Sequence, residues 1–145
     1  MRIHSSSFEN NQPIPSKHTC DGENISPQLS INGVPEEAKD LVLIMDDPDA
    51  PGGTFVHWLV WNINPHTEII NEGIVPSGAV EGMNDFGKNS YGGPCPPSGT
   101  HNYHFKLYAL DLFLDLDQSS RKDVLEEEME GHIIDWTKLV GTYTR

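Results

Sequence analysis

The apolar run Leu41 to Met45 stops abruptly at Asp46-Asp47-Pro48-Asp49-Ala50-Pro51, and no other stretch restricts the chain so firmly. Proline lacks an N–H and drives the residue before it toward an extended conformation, so two prolines so close together end the strand. A rigid turn bearing three carboxylates is the result. Six residues after Pro51, the run Phe55-Val56-His57-Trp58-Leu59-Val60-Trp61 carries a histidine into apolar company. Rigid turns that hold ionisable groups beside a core are where sites are commonly built.

Strand signals dominate the rest of the chain. Helical periodicity is scarce, and 13 glycines and 11 prolines punctuate it. The pattern predicts strands over Gln28–Ile31, Leu41–Met45, Phe55–Ile63, Tyr103–Leu110 and Trp136–Tyr143, with turns at Ser26-Pro27 and Gly33-Val34-Pro35. Alternation along Phe55–Ile63 places His57, Leu59, Trp61 and Ile63 on one face and Val56, Trp58, Val60 and Asn62 on the other. Both faces are largely apolar, which predicts a central strand buried on both sides, in a β-sandwich or a sheet covered by other elements. One helix is expected, Ser120 to about Glu130. Ser120 and Asp123 resemble a capping box, Gly131 suits the position after the last turn, and Val124, Leu125, Met129 and Ile133 form its apolar stripe. Glu126-Glu127-Glu128 reads as a solvated face.

At 145 residues the chain is expected to form a single domain, 1–145, with a real core. Its net charge of −13, from 22 acidic against 9 basic residues, argues against nucleic acid and against docking on an anionic membrane. No apolar run is long enough to span a bilayer, and Met1 to Gln12 has no apolar signal core, so a cytoplasmic protein is expected unless a leader was removed. Any anion bound here must be held by a local site working against the global field. Screening over about 8 Å at physiological salt permits that. Cys20 and Cys95 are 75 residues apart with no CxxC pattern. Two reduced thiols are the simpler expectation, and a bridge would require the fold to bring them together.

Gly78 to Thr100 is the second unusual stretch, holding six of the 13 glycines. A long irregular segment in a compact domain usually serves a purpose. Within Pro94-Cys95-Pro96-Pro97, only Cys95 has a backbone N–H. Directly after comes a strand in which His101, Tyr103, Phe105, Leu107 and Ala109 share one face, polar at its start and apolar further on. That pattern describes a pocket mouth at the end of a sheet.

Asp47, Asp49, His57, His101 and Tyr103 are therefore candidate site residues, and three chemistries compete. Imidazole N–H and phenol O–H groups, helped by loop N–H groups, suit a phosphate or carboxylate, with a carboxylate fixing a histidine tautomer. Metal binding has a poor spacing signal, because His101 and His104 face opposite sides of a strand. Hydrolysis by Cys95 with a histidine and an aspartate lacks a basic neighbour to activate the thiol, and Ser98 lacks a nucleophile elbow. Against all three stands the plain alternative that each histidine satisfies buried backbone groups.

The segments Asp47-Pro48-Asp49-Ala50-Pro51, His57-Trp58, Gly93-Pro94-Cys95-Pro96-Pro97 and His101-x-Tyr103 resemble the signature of phosphatidylethanolamine-binding proteins. Cys20-Asp21-Gly22-Glu23-Asn24-Ile25-Ser26-Pro27, Gly82-Met83-Asn84-Asp85-Phe86-Gly87 and Gly141-Thr142-Tyr143 resemble its bacterial and archaeal branch, the YbhB/YbcL-like proteins. The likeness runs from about Ile25 to Tyr143. It implies a mainly β fold, a central antiparallel sheet packed on a smaller sheet with one or two short helices, and a small anion pocket at one end. By position it implies ligand-binding roles for Asp47, Asp49, Pro51, His57, His101 and Tyr103, an aromatic wall at Phe55, a donated N–H at Cys95 and a cis peptide before Pro51. Two departures stand out. Asn102 replaces the arginine of His-Arg-Tyr, with an intact site expected because it faces away. The chain ends at Arg145 without the C-terminal helix of animal members, which predicts an open pocket and puts their kinase regulation in doubt.

The expected function is thus non-enzymatic binding of a phosphate, a phosphoryl headgroup or a carboxylate, with no cofactor and no metal. The runner-up is a serine protease inhibitor of the microbial type, and hydrolysis ranks third. Expected partners are small anions or phosphorylated ligands, with a serine protease, a kinase and a second copy in a homodimer as further candidates.

Overall fold

A computed structural model describes residues 1–145. Nine strands form two sheets: β1 (Arg2–His4), β2 (Gln12–Pro13), β3 (Leu29–Asn32), β4 (Asp40–Asp47), β5 (Phe55–Ile63), β6 (Ile69–Ile70), β7 (Val80–Glu81), β8 (Thr100–Leu110) and β9 (Ile133–Thr144), with helix α1 (Lys122–Met129) before the last. The larger sheet runs β2-β9-β8-β4-β5-β7, and the smaller β1-β3-β6. All pairings are antiparallel except the short β2–β9 contact. The mainly β architecture, a large sheet against a smaller one, is as expected from the sequence.

All eight residues of β4 are buried, because both faces of the larger sheet are covered. Leu41, Leu43 and Met45 join Leu29, Ile31 and Ile70 of the small sheet in the core between the layers. Val42 and Ile44 pack on the opposite side with Leu114, Leu125 and Met129, beneath α1. Burial at roughly 25 cal/mol per Å² of apolar surface makes these two layers the main stabilising term.

Strand β5 is buried on both faces, as its sequence suggests, but it is not central. Only the two-residue β7 lies outside it. The glycine-rich loop does the rest: Gly82, Asp85 and Gly92 donate backbone N–H groups to the carbonyls of Leu59, Val56 and His57. The loop thereby satisfies an edge that would otherwise be open to other strands.

The face assignment along β5 also needs correction. Met45 pairs with Trp58 and Asp46 with Val56, leaving His57 as an extra residue; a second bulge follows where Leu43 pairs with Val60 and Leu41 with Ile63. A bulge breaks the two-residue period. His57 consequently packs on Tyr103, whose core also takes Trp58, while Leu59 and Trp61 go to the helix side. Asn62, at φ +54°, sits in the second bulge. The face of β8 has no such break through the site, and His101, Tyr103, Phe105, Leu107 and Ala109 are all buried as its alternation predicts.

Helix α1 starts later than its sequence signal. Arg121 is at the N-cap with no side-chain capping bond, and the Ser120 carbonyl instead accepts from Met83 N–H. Leu125 and Met129 are buried one turn apart, whereas Val124 and Ile133 are exposed. Gly131, at φ +80°, ends the helix in the left-handed region where a side chain would be strained.

Two further expectations fail. Cys20 and Cys95 form a disulfide, with Cα atoms 5.4 Å apart. Cys20 N–H donates to the Pro94 carbonyl (3.1 Å), Tyr91 O–H to the His18 carbonyl (2.7 Å), and Gly93 N–H to Asn24 Oδ1 (2.8 Å). Those bonds seat the loop on the 18–24 turn, where Gly93 is required because a Cβ would strike the His18 carbonyl and Asn24. Reduced thiols were the wrong expectation because the contact spans 75 residues. The peptide before Pro51 is trans rather than cis; the turn is closed without it, by Asp49 N–H donating to Asp47 Oδ1 at 2.8 Å.

Candidate functional site

At one end of the larger sheet, the ends of β4, β5 and β8 meet the glycine-rich loop around a cavity of about 220 Å³. It is lined by Asp47, Pro51, Phe55, His57, Cys95, His101 and Tyr103, seven of the eight residues expected from the sequence. Asp49 is the eighth and does not line it. Its Oδ2 accepts from both the backbone N–H and the side-chain amide of Asn102, at 2.8 and 2.9 Å. Those two bonds hold the Asp49 carboxyl below its ordinary range. Asn102, far from merely facing away, ties the acidic turn to β8.

Each polar group has a distinct local cause. Asp47 accepts from Asp49 N–H on one oxygen and from His101 Nδ1 on the other, at 2.6 Å. Both oxygens are thus engaged within the protein. His57 is positioned differently: its Nδ1 donates to the Gly92 carbonyl at 2.6 Å. Burial pushes the His57 pKa down, outweighing the Gly92 carbonyl and the Asp47 charge, which pull it up. Tyr103 lies between the rings, 5.3 Å from His57 and 6.4 Å from His101 between centroids. Burial, then the negative charges of Asp47 and Asp49, keep its phenol protonated well above the usual range. Its hydroxyl is buried and has no protein partner.

The wall is apolar. Phe55 meets Phe86 edge-on at 4.8 Å, and Phe86 meets His57 at 5.4 Å. Phe86, Ala50, Pro96 and Pro97 line the cavity too and were not singled out from the sequence. Phe86 belongs to the Met83-Asn84-Asp85-Phe86-Gly87 segment, whose pattern marked a family likeness without marking a wall. Its neighbour Asn84 is fully buried and works harder: its amide donates to the His57 and Ser90 carbonyls (3.1 and 2.7 Å), and its oxygen accepts from Phe86 and Lys88 N–H groups (both 3.0 Å). Asp85 Oδ2 accepts from Val56 N–H at 2.8 Å. A buried asparagine with all these partners organises a loop, and the signal for it was its place in a glycine-rich stretch.

Cys95 lines the cavity with its sulfur committed to the bridge, so it has no thiolate to act as a nucleophile. That overturns hydrolysis through Cys95. Its backbone N–H makes none of the loop's hydrogen bonds. Arg145 Nη1 approaches the bridge, 3.4 Å from Cys95 Sγ, and its other nitrogen pairs with Asp21 at 3.3 Å. Chemically the site offers two imidazoles with their Nδ1 atoms already used, a phenol O–H without a partner and a free loop N–H, against an aromatic and proline wall. No helix is long and apolar enough to cross a membrane.

The sequence profile of the family described as "Phosphatidylethanolamine-binding protein" matches residues 4–144. A UPF0098 protein of Methanothermobacter thermautotrophicus is 49% identical over 150 aligned positions, covering 100% of this chain and 99% of that one. One from Pyrococcus horikoshii is 52% identical over 97% of this chain and 75% of its own. Among solved structures, a homolog of phosphatidylethanolamine-binding proteins from Chlamydia trachomatis superposes with a TM-score of 0.94 at 43% identity, covering 99% and 96% of the two chains. YbcL of E. coli, described as a member of the mammalian family, gives 0.93 at 31% identity over 99% and 98%.

Proposed function

The chain belongs to the phosphatidylethanolamine-binding protein family, and we propose that its pocket binds a small oxyanion, a phosphate, a phosphoryl headgroup or a carboxylate, without turning it over. The observation that carries this reading is the Tyr103 hydroxyl, protonated, unpartnered and buried behind the wall of the cavity that Tyr103 lines. A buried polar group left without a hydrogen bond costs about 1–3 kcal/mol, and of the four such atoms in the protein only the Tyr103 hydroxyl belongs to a residue that lines the cavity. The Cys95 N–H and the Nε2 atoms of His57 and His101, which make no hydrogen bond within the protein, are the other polar groups its lining residues offer. Asp49 and Asn102 act from outside by fixing the turn, and Asp47 by orienting His101. No serine, threonine or free cysteine lines the pocket, which favours binding over catalysis. A cytoplasmic location stays part of the proposal, and fractionation of host cells checks it.

Titration with inorganic phosphate, phosphorylethanolamine and acetate, followed by the imidazole resonances of His57 and His101, tests the reading. Saturable shifts in both rings are expected with at least one of the three anions, weakened in Tyr103→Phe. Unmoved rings at high anion concentration would remove the pocket from consideration.

A further inference from the structure

The two imidazoles are not equivalent, and the difference sets which oxyanion fits. Gly92 contributes a carbonyl, which can only accept, so the proton of His57 is on Nδ1. A neutral ring then presents a bare lone pair at Nε2, on the edge toward the cavity it lines. An oxyanion oxygen without a proton would meet that lone pair with its own. We propose, building on the oxyanion reading above, that the pocket selects an oxyanion that carries its own proton, a phosphate monoester bound in its singly protonated form, and discriminates against sulfate. The ligand P–O–H donates to His57 Nε2, while the remaining oxygens accept from Tyr103 O–H and Cys95 N–H. No bond other than hydrogen bonds forms or breaks, and the proton stays on the ligand.

Every group facing His57 bears on where that proton sits. Phe55 precedes it on β5 and Phe86 packs from the loop, and both are apolar. Tyr103 packs from β8 with its proton retained. Asp47 and, more weakly, Asp46 of β4 favour an imidazolium, as do the Gly92 and Gly93 carbonyls, yet burial prevails. Asp47 is in any case committed to His101. Placing the second proton on His57 is therefore the harder route, and a ligand that brings it avoids that cost. Phosphate monoesters, with a second pKa near 6, are able to do so. Hydrogen sulfate is a far stronger acid, so sulfate arrives bare. A site whose buried groups demand a hydrogen on the ligand rejects analogues that lack it.

Calorimetry with methyl phosphate and with sodium sulfate, at pH 6, 7 and 8 and in two buffers of different ionisation enthalpy, tests this. Methyl phosphate should bind at least about tenfold tighter than sulfate at pH 6 to 7. Above pH 6 its affinity should fall, by up to about tenfold per pH unit, with close to one proton taken up per ligand. A ring that simply gained charge, His101 included, would strengthen both anions alike as pH falls, and a constant ratio between them overturns the proposal. Equal affinities with no proton uptake would sink the selection and leave oxyanion binding standing. If neither anion binds, both readings fall. In His57→Gln the amide offers an N–H, so the preference for methyl phosphate should collapse; a folded variant that retains it also overturns the proposal, and the wild-type ratio decides if the variant does not fold.

Discussion

Asp46 and Asp47 are consecutive, both buried, and point to opposite faces of one sheet. On the helix side, Asp46 Oδ2 is held by Lys106 at 3.2 Å and Lys122 at 3.0 Å, the latter being the first residue of α1. On the pocket side, Asp47 is held by a backbone N–H and by His101. One carboxylate thus meets two permanent cations in a cluster that pins a helix to the sheet. The other meets a titratable ring at the wall of a cavity. The difference teaches what distinguishes a structural charge from one that serves a site: Asp46 keeps one oxygen unpartnered, but away from the cavity, whereas Asp47 lines it. Around Asp47 the Tyr103 hydroxyl is left over.

The largest expected effect lies on the helix side. Asp46→Ala leaves two partly buried lysines without a counter-charge and should cost about 3 kcal/mol of stability, read from urea denaturation, with methyl phosphate affinity largely kept. An equal loss of affinity would mean that the two faces are not separable. Tyr103→Phe is the converse. It removes a hydroxyl that the folded protein does not itself use, so stability should hold or rise slightly. Oxyanion affinity should fall by roughly 10- to 100-fold, the value of a hydrogen bond to a charged group. A clear drop in melting temperature with affinity intact would show that the hydroxyl has an internal partner.

The smallest effect is a pH slope. His57 has a folded pKa below its ordinary value near 6.5. Between those two values the unfolded chain binds the extra proton and the folded one does not, so stability drops as pH falls through that window. His104, also pushed down by burial, acts in the same direction. The slope in His57→Gln should therefore be shallower than in wild type, and the difference between them isolates the pocket ring. Identical slopes would place the effect on other groups.

Much of this was legible in the chain. The proline-broken acidic turn ends β4 where its residues say it must, and the β8 face from His101 to Ala109 follows a two-residue period that nothing interrupts within the site. Seven of the eight proposed site residues line one cavity; most lie on strand ends and the acidic turn, while Cys95 is brought there by the loop and its bridge to Cys20. The readings that failed depend on partners distant in sequence. Along β5, pairing with β4 introduced two bulges and moved His57 away from Leu59 and Trp61. Asp49 left the pocket for Asn102, 53 positions away. Ser120 does not cap α1, because the helix starts one residue later with Arg121 at its N-cap, and the Ser120 carbonyl serves Met83.

Residue order by itself determined that β3, β4, β5, β8 and β9 exist, which face of β8 is buried, and which residue types gather at the acidic turn, since proline geometry and side-chain alternation act over a few residues. Tertiary structure alone decided the Cys20–Cys95 bridge, the pairing of Asp47 with His101 and the lock of His57 on Gly92. Each of those requires two segments, from 35 to 75 positions apart, to meet within bonding distance. No local rule encodes such a meeting, because what brings the segments together is the burial of the whole core.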